Sequence, residues 1–336
     1  MDNVALDKND SAKIGVNILR KDIKKGDKMI KKVVLLLLLV TAGFMITSCA
    51  GNISLSIKKG ETTNSKGERL EYFLGTKLEE ELSNKLLVMI QGSGKESIAK
   101  RFDMGAEGTT LGFDILYLEK FGFDNEELFN KTDCRERRIQ DIEFVVNHVI
   151  KDVYNNNLKE VLLYADSEGG SIAPEIANKI EEVTHLIIMG AGGYSQSKEL
   201  EILLKKQIEN EEKGIFEGSG IKSRDDLQKK FKAIKDNPTD EQFWLGHTYK
   251  YWDSYLDYKP AKYLSKLNIP VLYIIGGEDK SVPYQSVEYL ADKFVDKRNF
   301  RFEIIPELDH SFTDKSGSNK IKQILKDIIL PWYKKY

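Results

Sequence analysis

Apolar positions along this chain fall into two textures. Compact, largely apolar runs recur at 85–91, 113–118, 160–165, 185–190, 271–276 and 300–305, and the stretches between most of them carry apolar residues every three or four positions. Continuous runs of that length predict strands buried on both faces, and the wider spacing predicts amphipathic helices. Their alternation predicts a mostly parallel sheet. Two shorter segments, Ile53–Ile57 and Leu70–Leu74, predict leading strands paired antiparallel. The expectation is one α/β domain, an eight-stranded, mostly parallel sheet flanked by helices.

Residues 196–265 break this rhythm between the sixth and seventh predicted strands. They are charged, with helical patterns at 197–212 and 225–234, each too polar to bury more than one stripe. Aromatics crowd the second half: Phe243, Trp244, Tyr249, Tyr251, Trp252, Tyr255 and Tyr258. The segment is expected to be a helical lid insertion. Its aromatics either line a substrate pocket or pack the insertion onto the core, which comprises 49–195 and 266–336.

The N-terminal pattern differs again. Met29-Ile30-Lys31-Lys32 precedes an apolar run from Val33 to Met45, then Ile46-Thr47-Ser48-Cys49. A basic start, a short apolar core and small residues before a cysteine predict a lipoprotein export signal over 29–48, with lipid carried on Cys49. The apolar core is shorter than the ~20 residues needed to span a bilayer, which disfavours an uncleaved anchor. Residues 1–28 have mixed charge and no apolar periodicity and are expected to be a non-native or disordered extension, with Met29 the start. The localisation expected is the bacterial cell envelope, tethered to a membrane by Cys49.

Candidate chemistry concentrates where the apolar runs end. Val161-Leu162-Leu163-Tyr164-Ala165-Asp166-Ser167-Glu168-Gly169-Gly170 takes a strand straight into a serine flanked by small residues, with a helical segment after it. This is the form of a nucleophile elbow, in which Ala165 and Gly169 must be small for so tight a turn. A serine hydroxyl needs a base with a pKa near 7, and the chain has four histidines. His148 falls in a helical pattern, His185 at the start of a strand, and His247 in the aromatic segment. His310 lies in the loop after the run 300–305, at the strand end where α/β enzymes place their reacting groups. For the acid that orients it, Asp279 completes the strand-end pattern Gly-x-Asp-x-x-Val-Pro from Gly277 to Pro283, with Glu278 the alternative. Two backbone donors are expected for an oxyanion: the N–H of Glu168, and the N–H of Ser93 (or Gly94) in the Gly92-Ser93-Gly94 loop after the run 85–91. That loop lacks the spacing of a phosphate-binding P-loop.

The order Ser167, Asp279, His310 resembles that of the α/β-hydrolase superfamily. The elbow Ser167-Glu168-Gly169-Gly170-Ser171-Ile172-Ala173-Pro174 and the segment Tyr251–Pro260 are similar to the branch containing serine aminopeptidases, acyl-peptide hydrolases and dienelactone-hydrolase-like esterases. The resemblance covers roughly 70–336 and implies the α/β-hydrolase fold and a serine hydrolase. Asp166 and Gln91 stand where that branch usually has histidines. Neither position supplies a reacting group.

Charge and cysteine content narrow the partners. Fifty-one basic and 53 acidic residues leave a net charge of −2, which gives no basic footprint for nucleic acid. With Cys49 committed to lipid, Cys134 has no disulfide partner. The expectation is a serine hydrolase without cofactor or metal, acting on a small-molecule or peptide substrate and touching a membrane only through its lipid. The competing reading, a non-catalytic binding lipoprotein on the same scaffold, leaves the retention of all three reacting residues unexplained. Esterase and peptidase remain open, as does the oligomeric state.

Overall fold

The computed structural model describes residues 44–47, 54–78, 81–211 and 213–336. The extension 1–28, Cys49 and most of the expected export signal lie outside the described residues.

A nine-stranded sheet runs in the order β1-β2-β3-β5-β4-β6-β7-β10-β11. Its strands are β1 Phe44–Thr47, β2 Ser54–Thr63, β3 Arg69–Lys77, β4 Lys85–Ile90, β5 Asp114–Leu118, β6 Glu160–Asp166, β7 Val183–Met189, β10 Val271–Gly276 and β11 Phe300–Ile305. Strands β8 Phe243–Trp244 and β9 His247–Thr248 form a separate hairpin. β1, β2, β3 and β5 pair antiparallel in sequence, and every pairing from β5 through β11 is parallel. Eight of the nine strands are those the apolar runs predict. The ninth, β1, falls within the stretch expected to be removed with the export signal.

Each central strand buries both faces because helices cover both. In β4, Leu86, Val88 and Ile90 face one core and Leu87 and Met89 the other. The first core is roofed by α2 Arg135–His148 and α3 Glu168–Lys179, the second by the C-terminal α9 Ile321–Ile324 and α10 Leu330–Lys335. A short α1, Glu126–Thr132, follows β5 and is capped by the Asn125 side chain on the Leu128 N–H. α8, Gln285–Lys293, links β10 to β11.

The insertion after β7 contains α4 Gln196–Glu209, α5 Arg224–Asp236, the β8–β9 hairpin, α6 Tyr249–Leu256 and α7 Pro260–Leu264. Its aromatics mainly pack. Trp244, Tyr249, Tyr251, Trp252 and Tyr255 are buried in the first core, and only Phe243 of the set is strongly exposed. Trp244 sits against Phe216, Phe231 and Trp252, whose indole N–H donates to the Trp244 carbonyl at 2.6 Å.

Strand order sets the site. From β4 the chain crosses outward to β5, then returns to β6 on the other side of β4. The loops after β4 and β6 therefore leave the same sheet edge in opposite directions, and a crevice opens between them.

Candidate active site

Ser167 stands in that crevice between β6 and α3, with φ 51° and ψ −120°. A non-glycine residue takes this left-handed conformation only where its surroundings enforce it. The enforcement comes from both sides. The Ser167 N–H donates to the Met189 carbonyl at 2.9 Å, and α3 begins at the next residue. A Cβ on Gly169 would stand 2.3 Å from the Ile90 carbonyl oxygen and 2.7 Å from that of Gln91, so α3 can approach β4 this closely only on glycine. Smallness at 169 thus serves helix-to-strand approach as well as the turn itself.

His310 lies in the loop after β11. Its Nε2 is 3.1 Å from the Ser167 hydroxyl and its Nδ1 is 2.7 Å from Asp279 Oδ2. Asp279 is buried, and its other oxygen accepts the N–H groups of Ser281 and Val282 at 2.7 and 2.8 Å. Glu278 turns outward to Lys315 at 3.1 Å. Of the two adjacent acids, only Asp279 reaches the imidazole. Burial pulls the His310 pKa down, but the hydrogen bond and charge of Asp279, with Asp166 and Asp309, outweigh it and hold the pKa above its ordinary value.

The other histidines lie elsewhere. His148 meets Asp152 at the end of α2, and His185 is buried near the start of β7 against Trp332 and Tyr333. His247 stacks on Tyr251 with ring centroids 4.0 Å apart.

The loop after β4 passes directly over the serine. A Cβ on Gly92 would stand 3.0 Å from Ser167 Cβ and 3.6 Å from its hydroxyl oxygen. Ser93 follows, exposed at the loop tip. The Gln91 side chain turns away to donate to the Leu118 carbonyl at 3.2 Å. Glu168 opens α3, so its N–H has no acceptor within the helix.

Beyond the backbone N–H expected of Glu168, its side chain anchors a buried ionic group. Glu168 Oε1 accepts from Arg138 Nη1 at 2.8 Å and from the Tyr255 hydroxyl, and Oε2 lies 3.8 Å from Lys120 Nζ. Burial raises the Glu168 pKa, but Arg138 and Lys120 outweigh it and hold the carboxyl ionised. Nearby Asp133 is pushed up to about 6, first by burial and then by the Glu168 charge. One signal for Arg138 was present in the chain: it falls in register with Ile142, Val145 and Val149, a cation on an apolar stripe. Lys120 and Tyr255 carried no such mark.

Among the described residues no cluster of side chains could hold a metal ion, and no helix is long and apolar enough to cross a membrane.

A carboxyl esterase from Bacillus coagulans superposes with a TM-score of 0.58 at 14% identity, over 83% of this chain and 98% of that one. The fold is that of the α/β-hydrolases. An acylaminoacyl peptidase from Pyrococcus horikoshii shares it, with a TM-score of 0.54 at 14% identity over 83% of this chain and 41% of that one. In sequence, residues 250–327 match the Dienelactone hydrolase family, a stretch that contains Asp279 and His310. Esterase EstD of Thermotoga maritima is 24% identical over 247 residues, 71% of this chain. The chain spans 57% of that relative's length.

Proposed function

We propose that this chain is a serine hydrolase that cleaves a carboxylic ester through an acyl-enzyme on Ser167, with thioesters and small amides as further substrates of the same mechanism. The observation that carries this reading is the unbroken hydrogen-bonded line from Asp279 through His310 to Ser167, with the serine at φ 51°. His310 Nε2 takes the hydroxyl proton as Ser167 attacks the carbonyl carbon. Asp279 holds Nδ1–H and stabilises the imidazolium that forms. The tetrahedral oxyanion is held by the N–H groups of Glu168 and Ser93. His310 then protonates the leaving group, and water repeats the sequence to release the acid. The Thermotoga sequence relative, named an esterase, supports an ester substrate.

The anchor belongs to the same proposal: cleavage before Cys49 and lipidation of its thiol would place the hydrolase on the cell envelope. Intact mass measurement of membrane-extracted protein tests it, since retention of 29–48 without a lipid increment would refute lipidation.

For the chemistry, a fluorophosphonate should label the wild-type chain at Ser167. Ser167→Ala should abolish labelling and lower kcat on acyl esters by roughly 10⁴–10⁶. His310→Ala should be nearly as damaging, and the double variant little worse. A chain that ignores the probe, every ester and every aminoacyl amide is not a serine hydrolase.

A further inference from the structure

We propose that Lys120, Arg138 and Glu168 form a buried ionic clamp that positions both halves of the oxyanion pocket. The inference rests on the serine hydrolase reading above and adds residues to it that act through the backbone.

Three of the four residues from Gln91 to Gly94 have their carbonyls held by buried cations. Lys120 Nζ donates to the Gly92 carbonyl at 2.7 Å and the Gly94 carbonyl at 2.6 Å, and Arg138 Nη2 donates to the Gln91 carbonyl at 2.9 Å. A trans peptide points its N–H opposite its C=O. Fixing the Gly92 carbonyl on Lys120 therefore fixes the Ser93 N–H to face away from that ammonium, and fixing the Gln91 carbonyl does the same for the Gly92 N–H. A loop with glycines at 92 and 94 has little stiffness of its own, so its amide directions depend on these bonds.

Arg138 joins this loop to the elbow. One Nη holds Gln91 and the other holds the Glu168 carboxylate at 2.8 Å. Glu168 is the residue whose own N–H forms the second half of the pocket. One guanidinium thus spans both halves, and neither shifts without the other. The insertion adds a fourth residue, Tyr255, whose hydroxyl donates to Glu168. At the base of the loop, Glu119 accepts the Ile98 N–H at 3.0 Å and the Ser97 hydroxyl, so the two charged residues that follow β5 both brace the loop after β4.

Stability alone accounts poorly for this arrangement. Burying two cations and a carboxylate carries a desolvation cost that apolar residues of similar size avoid. Burial and Arg138 pull the Lys120 pKa well below its ordinary value, against the pull of Glu168 and Asp133. What the charges provide is direction: oxyanion donors work only when they are oriented before the charge develops.

The test compares the full-length wild type with Lys120→Met, which keeps bulk but loses all three donors, and with Glu168→Gln. The readouts are kcat and KM on p-nitrophenyl acetate and the Ki of an aryl trifluoromethyl ketone, whose adduct on serine carries an oxyanion. Lys120→Met should lower kcat by about 10²-fold and raise Ki by a similar factor with KM nearly unchanged. Glu168→Gln should show the same pattern at smaller size, and it decides the matter if Lys120→Met does not fold. A loss confined to melting temperature, a change in KM alone, or an unchanged Ki would overturn the clamp. A wild type that neither labels with fluorophosphonate nor hydrolyses the ester would overturn the hydrolase reading and the clamp together. Normal wild-type labelling beside unaffected variants overturns the clamp alone.

Discussion

Gly92 lies so close over Ser167 that a Cβ there would meet the serine Cβ at 3.0 Å. The missing side chain leaves room beside the hydroxyl for an incoming carbonyl. Gly92→Ala should therefore lower kcat/KM by about 10–10²-fold, the scale of an ångström of misplacement, with a much smaller effect on melting temperature. Gly169→Ala should do the opposite and fail to fold, because its Cβ would press on the backbone oxygens of Ile90 and Gln91. Parallel kinetics and thermal unfolding of the two variants check this, and equal behaviour would refute it.

Asp279 and Glu278 are adjacent acids with different surroundings. Asp279 is buried and bonded to His310 Nδ1, whereas Glu278 shares an exposed ion pair with Lys315. Asp279→Asn should cut kcat by about 10³–10⁴ through loss of the required imidazole tautomer. Glu278→Gln should stay within about twofold of wild type, as exposed pairs contribute little. Steady-state kinetics of both variants on one ester would show it, and reversed sensitivities would move the acid one residue upstream.

Asp166, immediately before Ser167, is one of the negative charges that hold the His310 pKa up. His310 acts as base only when neutral, so the acid limb of the kcat/KM profile follows its pKa in the free enzyme. Asp166→Asn removes a charge that favours the imidazolium. The histidine then loses its proton at lower pH, and the acid limb should move downward. A pH–rate profile of the variant reads the shift, and an upward or absent displacement would contradict it.

Glu199, near the start of α4, is buried and accepts from the Ser286 hydroxyl at 2.6 Å. The Ser286 hydroxyl oxygen in turn accepts the N–H groups of Gly193 and Tyr194 at 2.8 and 2.9 Å. Burial, with a smaller push from Asp279, raises the Glu199 pKa to about 8 against the Ser286 bond. A raised folded pKa means that the folded chain keeps a proton the unfolded chain releases above its ordinary 4.5. The contribution to stability is whole below that value and is lost as pH rises through about 8. Glu199→Gln lacks this loss. In urea unfolding its stability relative to wild type should rise between pH 5 and 8, by at most about 1.4 kcal/mol per pH unit. A difference independent of pH would show that Glu199 is ionised in the folded chain.

The sheet and the side chains that meet at the candidate site were legible in the chain because their signals are local. A strand covered on both faces must be apolar throughout, as in Leu86–Ile90 and Val271–Ile275, and residues just past such runs necessarily reach the active edge of a parallel sheet. That logic singled out Ser167, Asp279, His310 and the Gly92–Gly94 loop without any coordinates. It could not decide whether the aromatics of 243–258 line or pack, since both uses ask for the same residues; burial in the first core decided for packing in most of them. Nor could it find the ionic group behind the site. Lys120 meets Gly92 across 28 positions, and Arg138 meets Gln91 across 47 and Glu168 across 30. A charge that binds a backbone carbonyl leaves no complementary residue type in the sequence, so only the folded chain, by bringing β5, α2 and α3 around one loop, reveals what those cations hold.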